Sequence, residues 1–362
     1  MSKSLIANSK DIFKCIQTVG VLVKGNHTLP ILDNILIELQ NKKLIFTADN
    51  LEVRSKVEIQ MEVEGDIKTC VPFKLLSNIL KGFPSQPIEM VFEKSTLKIL
   101  SETGRYTIPL VDAETFPASK EAQVTDVVKL DSTQFIDGIK KALLFTEKAN
   151  ITNYHNVLIS IKPDGTKIAS TDGNVIFEYS ITALGDQKDL IISRNIASSL
   201  IQILASGEDV ELSYSDSFLF FKMQEKQINT ILSNSNFPTN YTKVFDSLHP
   251  DKKLKIDNSI IAPAIKRLYA LTDQNNQTVK FSIQENLLEL SFTNQLQKYD
   301  AVEALPCEYI GDAVKIAFNA NYINNMLTAI EHDIEMNITD GSKPCVFIAE
   351  NIRAIVGPIK QD

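Results

Sequence analysis

The chain has 362 residues, a length that fits two or three domains better than a single core. Its hydrophobic content of 44%, charged content of 23% and formal net charge of -8 are typical of a globular protein in water. No apolar leader opens the sequence, and no apolar run approaches the roughly 18 residues of a membrane span, so we expect a cytoplasmic protein without membrane segments.

The first predicted element is a helix in SKDIFKCIQTV, where Ile12, Phe13, Ile16 and Val19 recur on one face. From Asn34 the stretch NILIELQNKKLIFTADN predicts two strands joined by a polar turn. A second helical pattern, VPFKLLSNILKGF, and an alternating stretch, IEMVFEKSTLKIL, follow. These elements form one unit of two helices and an antiparallel sheet.

The same order of elements then returns twice. NVLISIKPDGTKIASTDG begins at Asn156, 122 positions after Asn34, and TVKFSIQENLLELSFTN begins at Thr278, another 122 positions along. Helical patterns precede these hairpins (STQFIDGIKKALLF and SIIAPAIKRLYAL) and follow them (ISRNIASSLIQIL and FNANYINNMLTAI). Strand patterns then come in VELSYSDSFLFFKM and IEMNITDGSKPCVFIAE.

A Phe-Pro pair closes the first two units, with Pro117 and Pro238 lying 121 residues apart. The sequence therefore predicts an α+β protein made of three tandem repeats, each with two helices over a curved antiparallel sheet. The expected domain boundaries are 1–125, 126–250 and 251–362.

Motifs for catalysis and for metal or cofactor binding are missing from the sequence. The four histidines show no HxH or HExxH spacing, and the four cysteines form no CxxC pair and fit reduced, buried thiols. The thirteen glycines give neither GxGxxG nor GxxxxGK, and no GxSxG nucleophile motif occurs. We therefore predict a protein that is not an enzyme and needs no cofactor or metal.

The predicted helices carry positive charge although the chain is acidic. Ten Lys and Arg residues against four acidic residues give these helices +6 and leave -14 for the remainder. Any single lysine fits an ordinary solvated helix face, but the bias recurs in five of the six helices. If the helices share a surface, the sequence indicates a protein that meets a polyphosphate at that surface alone.

Several motifs together resemble the bacterial sliding clamp family, the beta subunit of DNA polymerase III. They are TLPIL from Thr28, STDG from Ser170, the Phe-Pro pair followed by Tyr241, CEYIGDAVKIAFNA from Cys307, and the terminal VGPIK. The resemblance covers the whole chain and implies a processivity factor of DNA replication with the DNA clamp fold. It implies a homodimeric ring that encircles double-stranded DNA without sequence specificity and tethers the polymerase III core, the clamp loader and other polymerases through linear peptide motifs.

Helix dimensions favour two copies of the chain. Six helices about 10 Å wide enclose a hole of roughly 9 Å, narrower than the roughly 12 Å major groove of DNA alone. Twelve helices enclose about 28 Å, which admits a hydrated duplex. Contacts to phosphates across such a hole carry no sequence information and weaken with salt.

Three sets of site residues follow from the charge pattern and the resemblance. For DNA binding they are Lys24, Lys74, Lys81, Lys141, Tyr154, Arg194, Lys266 and Arg267. For a partner-peptide pocket the resemblance implies Thr171, Gly173, Val175, Ile176, Pro238, Lys243, Val244, Ile355, Pro358 and Ile359. For the dimer interface it implies Tyr106, Ile108 and Leu271, on and opposite an edge strand that contains Pro109.

Two departures from the family pattern suggest an altered peptide preference. Asn174 and Val175 stand where the family commonly has basic residues, and Gly357-Pro358-Ile359-Lys360 replaces a Met-Pro-hydrophobic-basic run. Three alternatives stay open at this stage: a specialised paralogous clamp for a repair or accessory polymerase, a repeat scaffold that binds only protein, and a hydrolase or lyase built on repeats.

Overall fold

The computed structural model describes residues 3–25, 29–61, 65–119, 127–146, 153–238, 240–273 and 276–360. The chain divides into two compact units. Unit 1 comprises Met1–Ile136 and Ser198–Leu232, and unit 2 comprises Asp137–Ala197 and Ser233–Asp362. The middle repeat therefore contributes to both units, while the expected boundaries of the three domains stay a prediction.

Seven α-helices lie in the described residues, and each of the six predicted helices is among them. They are α1 (Ser9–Gly20), α2 (Phe73–Lys81), α3 (Ser132–Ala142), α4 (Arg194–Ile203), α5 (Tyr241–Ser247), α6 (Asn258–Tyr269) and α7 (Ala320–Ala329). In this part of the chain no helix is long and apolar enough to cross a membrane. The charge count of the predicted helices includes Glu147 and Lys148 with the third helix, and these two residues lie outside the described residues.

Local hydrogen bonds fix where several helices begin. Asn8 precedes α1, and its side chain accepts a hydrogen bond of 2.9 Å from the backbone N–H of Lys10. Asp257 and Asn319 cap α6 and α7 in the same way. Each cap satisfies a backbone donor that has no partner within the helix, so these short polar residues set the helix starts.

Unit 1 contains an eight-stranded and a four-stranded sheet. In spatial order the eight strands are β5 (Ile67–Pro72), β2 (Asn34–Gln40), β3 (Lys43–Asp49), β4 (Val53–Gln60), β16 (Lys226–Ile231), β15 (Phe218–Lys222), β14 (Asp209–Tyr214) and β9 (Val128–Asp131). The four strands are β1 (Lys3–Asn8), β6 (Pro87–Phe92), β7 (Thr96–Leu100) and β8 (Arg105–Pro109). All of these strand pairs are antiparallel, as the alternating patterns predict.

Unit 2 contains a nine-stranded and a four-stranded sheet. In spatial order the nine strands are β13 (Lys188–Ser193), β10 (Asn156–Lys162), β11 (Gly165–Thr171), β12 (Val175–Ile181), β25 (Ile352–Val356), β24 (Cys345–Ala349), β23 (Ile334–Ile338), β17 (Lys252–Ile256) and β21 (Glu308–Ile310). The four strands are β20 (Tyr299–Pro306), β19 (Leu287–Asn294), β18 (Thr278–Gln284) and β22 (Val314–Asn319). The three predicted hairpins are thus confirmed as β2–β3, β10–β11 and β18–β19.

Both large sheets join strands from successive repeats. In unit 1 β4 pairs with β16, with Val53 opposite Thr230. In unit 2 β12 pairs with β25, with Val175 opposite Val356. Because the same strand of each repeat receives the pairing, the two joints have equivalent construction, and these joints position the candidate sites.

The core explains several residue types along the chain. A Cβ atom on Gly20 would lie 2.3 Å from the ring of Phe73, so only glycine allows α1 to approach α2 this closely. Cys15, Cys70 and Cys345 are buried and unpaired, as expected for structural thiols. Burial raises the pKa of Cys15 to about 11 and that of Cys70 to about 12, so neither thiol reacts readily near neutral pH.

Candidate functional site

The basic side chains predicted to contact DNA fall into two groups. Lys24, Lys74, Lys81 and Lys266 are exposed. None of these four forms an ion pair with a residue that the structure describes. Their ammonium groups are therefore free to attract a polyanion.

The second group consists of basic residues that already have partners within the fold. Lys141 belongs to it, because carboxylates and an aromatic ring contact its ammonium group. It lies 2.7 Å from Asp137 and 3.6 Å from Glu331, and it stacks over the ring of Tyr179 at 5.2 Å from the ring centre. Its side chain is 15% exposed. Burial, together with Asp137, raises the pKa of Tyr179 to about 12. The positive charge of Lys141 is therefore largely offset within the fold.

Arg194 is also occupied by its own surroundings. Its Nη1 donates to the carbonyl oxygen of Leu143 at 2.6 Å and to the side chain of Thr146. These acceptors lie directly after α3, so the guanidinium ties the start of α4 to the end of α3. Burial lowers the pKa of Arg194, in keeping with a partly desolvated structural role.

Arg267 is exposed but paired. Its Nε donates to Glu303 Oε1 at 2.7 Å, and Nη2 contacts the other oxygen of the same carboxylate. Such a bidentate pair fixes the orientation of the guanidinium. The pair has no net charge, so it attracts a distant anion only weakly. The charge of the neighbouring Lys266 is not offset in this way. The two adjacent basic residues of α6 therefore differ in how strongly they attract an anion.

The residues predicted for the dimer interface lie at or near sheet edges. β8 is the outer strand of its sheet, which confirms the edge strand predicted from Pro109. Tyr106 on β8 and Leu271 after α6 are exposed, whereas Ile108 is only 4% exposed. The alternation of a strand turns Ile108 toward the interior of its own unit, so it supports β8 from behind and is not an exposed contact.

A tight turn, which we call the pocket turn, spans Thr171–Val175. Asp172 Oδ1 accepts hydrogen bonds of 3.0 Å from the N–H groups of Asn174 and Val175, and Thr171 Oγ1 accepts one from the N–H of Gly173 at 3.1 Å. Gly173 has φ +93, a conformation that favours glycine. The ring of Tyr154, a predicted DNA contact, packs against this glycine at 3.2 Å from the position of a Cβ atom. The turn is thus held by hydrogen bonds from its own side chains.

Apolar residues surround the pocket turn, but not every predicted pocket residue is accessible. Ile176 packs on a buried cluster of Leu158, Ala169, Phe237, Tyr241, Phe245, Val346 and Ile355. Val244 and Lys243 on α5 are exposed, and Pro238, Pro358 and Ile359 are half-buried. Val175, Thr171 and Ile355 are buried, and their part in peptide binding stays a prediction.

Three features of this region escape the sequence patterns. Helix α5 has only seven residues and carries Tyr241 and Phe245 into the cluster. Tyr322 on α7 accepts a hydrogen bond of 3.1 Å from Asn174, and burial and Asp172 raise its pKa to about 12. Arg353 stacks over Phe245 at 3.9 Å. The hydrophobic period of the sequence does not reveal these features, because the helix is short and the contacts join residues far apart in the chain.

The end of the described chain is held by the backbone. The N–H of Gly357 donates to the carbonyl oxygen of Asn174 at 3.0 Å, and the N–H of Ile359 donates to that of Ala317 at 2.7 Å. These bonds keep the half-buried side chains of Pro358 and Ile359 beside the pocket turn. Residues 357–359 are therefore an ordered part of the region around the pocket turn.

The sequence matches two family descriptions. "DNA polymerase III beta subunit, N-terminal domain" matches residues 4–120, and "DNA polymerase III beta subunit, C-terminal domain" matches residues 248–354. The chain is 25% identical over 350 residues to the beta sliding clamp of Vibrio cholerae, covering 94% of each protein. It is 23% identical over 372 residues to the beta sliding clamp of Synechococcus elongatus, covering 98% of this chain and 96% of that one.

Solved structures share the fold over nearly the whole chain. A DNA polymerase sliding clamp from Pseudomonas aeruginosa with ligand has a TM-score of 0.93 and 20% identity, covering 99% of this chain and 100% of that chain. A clamp of the same organism bound to griselimycin has a TM-score of 0.93 and 19% identity, with 99% of each chain covered. The DNA polymerase III beta subunit of Thermotoga maritima has a TM-score of 0.90 and 19% identity over 100% of both chains.

Proposed function

The chain belongs to the DNA polymerase III beta subunit family, the bacterial sliding clamps, and on this premise we propose that it is a processivity factor of DNA replication. In this proposal it acts in the cytoplasm, encircles duplex DNA and tethers a polymerase to it without catalysing a reaction. The observation that carries the proposal is the threefold repeat of helices over sheets, together with the family match in the first and last repeats. The three repeats, 1–125, 126–250 and 251–362, are the proposed domains.

Two copies of the chain form the proposed ring, with β8 of one copy beside β20 of the other. Both are outer strands of four-stranded sheets, so each has backbone groups free to extend a neighbouring sheet. Tyr106, Leu271 and Val302 offer exposed apolar surface at or near these edges. Arg105 on β8 and Asp300 on β20 carry opposite charge, which favours pairing between the two strands over pairing of either strand with itself.

The proposed DNA surface consists of the exposed helix lysines. Lys74, Lys81 and Lys266 attract phosphates regardless of base sequence, and Lys24 on the loop after α1 adds a further positive charge. Lys141, Arg194 and Arg267 add little, since each is already hydrogen-bonded or ion-paired. A surface with a few exposed ammonium groups holds DNA weakly enough to slide.

The proposed partner site accepts a linear peptide of the polymerase or the clamp loader beside the pocket turn. Ile176, Val244, Pro238 and Ile359 supply partly exposed apolar surface, and Lys243 supplies a positive charge at the rim. We expect the pocket to hold one or two large apolar side chains next to an acidic group. Whether the tethered polymerase is the main replicase or a specialised one depends on this preference.

The oligomeric state tests the ring directly. Analytical ultracentrifugation at micromolar concentration should give a particle of twice the chain mass of 40.4 kDa. Tyr106→Asp combined with Leu271→Asp should give monomers, because two charges are then buried at each seam. Ile6→Asp is the matched control, since Ile6 is exposed on the opposite edge of the sheet that contains β8.

A folded double variant that stays dimeric would contradict the assignment of the seam. Ile108→Asp is unsuitable for this purpose, because a charge at this buried position is expected to unfold β8. A repeat scaffold that binds only protein, one of the alternatives, would form the same fold but would not be retained on topologically closed DNA.

A further inference from the structure

The turn at Asp49–Val53 in unit 1, which we call the first-repeat turn, is built like the pocket turn. Asn50 Oδ1 accepts hydrogen bonds from the N–H groups of Glu52 at 3.1 Å and Val53 at 2.7 Å. Asp49 Oδ1 accepts one from the N–H of Leu51 at 2.6 Å. Each acceptor and each donor lies 122 positions before its counterpart in the pocket turn, so the two turns are repeats of one structure.

The hydrogen bond between each turn and the chain segment beside it also repeats. The carbonyl oxygen of Glu52 accepts a hydrogen bond of 3.0 Å from the N–H of Ile231, as that of Asn174 does from the N–H of Gly357. Pro117 lies beside the first-repeat turn, as the repeat spacing from Pro238 predicts. The frame that surrounds the proposed partner pocket in unit 2 is therefore present a second time, within unit 1.

This second frame encloses a cavity of about 300 Å³, at the lower end of the range for ligand pockets. Leu51, Pro117, Phe218 and Ile231 supply its apolar lining. Leu51 has φ +73 and a side chain that is 50% exposed, at the position that Gly173 has in the pocket turn. A leucine in this backbone conformation is unusual, and here it adds an apolar wall that the glycine cannot provide.

The polar lining distinguishes this cavity from its counterpart. Arg54 and Asn229 form a cross-strand pair where unit 2 has Ile176 and Ile355. Nε of Arg54 donates to Asp49 at 2.7 Å, and Nη2 contacts the carbonyl oxygen of Pro117, so this guanidinium is neutralised and fixed.

Glu52 is the remaining charged residue of the lining. Its carboxylate has no partner among the residues that the structure describes. Among the described residues, the cavity therefore has an apolar wall and a single uncompensated negative charge, whereas the rim of the counterpart carries Lys243.

We propose that this cavity is a second peptide-docking site, specific for a short segment with large apolar side chains beside a Lys or Arg residue. The apolar side chain occupies the space between Leu51, Phe218 and Ile231, and the basic group pairs with Glu52. The inference rests on the proposed function to the extent that the unit 2 pocket binds peptides. The opposite charge at the two sites lets one clamp hold two different partner segments at once.

Two labelled peptides and the full-length protein test this assignment. One peptide is Gly-Lys-Leu-Phe-Lys-Gly, and the other is Gly-Asp-Leu-Phe-Asp-Gly, with the same apolar pair and opposite charge. Binding is followed by fluorescence anisotropy for the wild type, Leu51→Asn, Glu52→Lys and Val244→Asp. Asparagine tolerates the positive φ of Leu51, so Leu51→Asn removes the apolar wall without straining the turn. Thermal unfolding verifies that each variant is folded.

The proposal predicts that each substitution lowers the affinity for one peptide and leaves the affinity for the other unchanged. Leu51→Asn should weaken the basic peptide about tenfold and leave the acidic peptide unchanged, because one large apolar contact is lost at a single site. Glu52→Lys should weaken the basic peptide by a similar factor. Val244→Asp should weaken only the acidic peptide, and each unlabelled peptide should fail to displace the other.

Three results would overturn the second site. In the first, the acidic peptide binds and the basic peptide does not. In the second, the basic peptide binds, but its affinity responds to Val244→Asp and not to Leu51→Asn. In the third, Leu51→Asn changes the mass of the assembly, which would make this surface a contact between copies. Loss of the acidic peptide alone, with the basic peptide still sensitive to Leu51→Asn, would instead contradict the unit 2 pocket. The two proposals therefore fail in different ways.

Discussion

The helix pair α1–α2 of unit 1 and the helix pair α6–α7 of unit 2 hold the same places in their repeats, yet their charges are used differently. Lys74 and Lys81 on α2 are exposed without ion pairs among the described residues. On α6, Arg267 is paired with Glu303, whereas Lys266 has no ion pair with a described residue, and α7 has no charged residue. A count of charges on helices therefore overstates the attraction for DNA, because partners on other elements cancel part of it.

Charge reversal on α2 should have the largest effect on DNA binding. We expect Lys74→Glu with Lys81→Glu to lower the affinity for duplex DNA and to reduce the slope of log K against log salt by about 1.8 for each copy, since each lost phosphate contact removes about 0.9. Titrations by anisotropy at several salt concentrations measure both quantities.

Lys94→Glu with Lys129→Glu is the matched control, because these exposed lysines lie off the helices and the change in net charge is the same. An equal loss in the control would show that only net charge matters. An unchanged slope in the α2 variant would place the DNA elsewhere.

Neighbouring residues of α6 should separate free from paired charge. Lys266→Gln should reduce the salt slope by about 0.9. Arg267→Gln with Glu303→Gln removes an ion pair without changing the net charge, and we expect the slope to stay the same. A fall of the same size in both variants would mean that Arg267 leaves Glu303 to bind phosphate.

The smallest effect concerns the pH dependence of the Arg267–Glu303 pair. Hydrogen bonds from Arg267 lower the pKa of Glu303 below its ordinary value of 4.5. The pair therefore stabilises the fold fully above that value, and its contribution disappears as the pH falls through the lowered pKa. We expect Glu303→Gln to reduce the Tm slightly at pH 7, and the difference from wild type to vanish at strongly acidic pH. A difference that persists there would indicate a packing effect.

Regular structure was predictable from the sequence because it depends on local periodicity. The faces of α1 and α6 follow the 3.6-residue period, and β2–β3 follow alternation on either side of a polar turn. The edge position of β8 follows from Pro109, which cannot donate within a sheet. These predictions need no knowledge of distant residues.

The state of individual side chains was not predictable in the same way. Glu331 lies far along the chain from Lys141, and only the folded unit brings the two together. The guanidinium of Arg194 donates to a backbone carbonyl group just after α3, and no spacing rule predicts this contact. The resemblance places Val175 and Ile108 at contact surfaces, and only the structure reveals that both side chains are buried. Sites made of tertiary contacts therefore require the structure.

The central claim is that the protein encircles DNA, and retention on closed-ended DNA tests it most directly. The protein is threaded onto a linear duplex, both ends are then blocked with bulky plugs, and the DNA is washed at high salt. We predict that the protein stays on the DNA through the wash and leaves when a restriction enzyme cuts between the plugs, because a ring is held by topology and not by charge. Loss during the wash, or retention after the cut, would contradict encirclement.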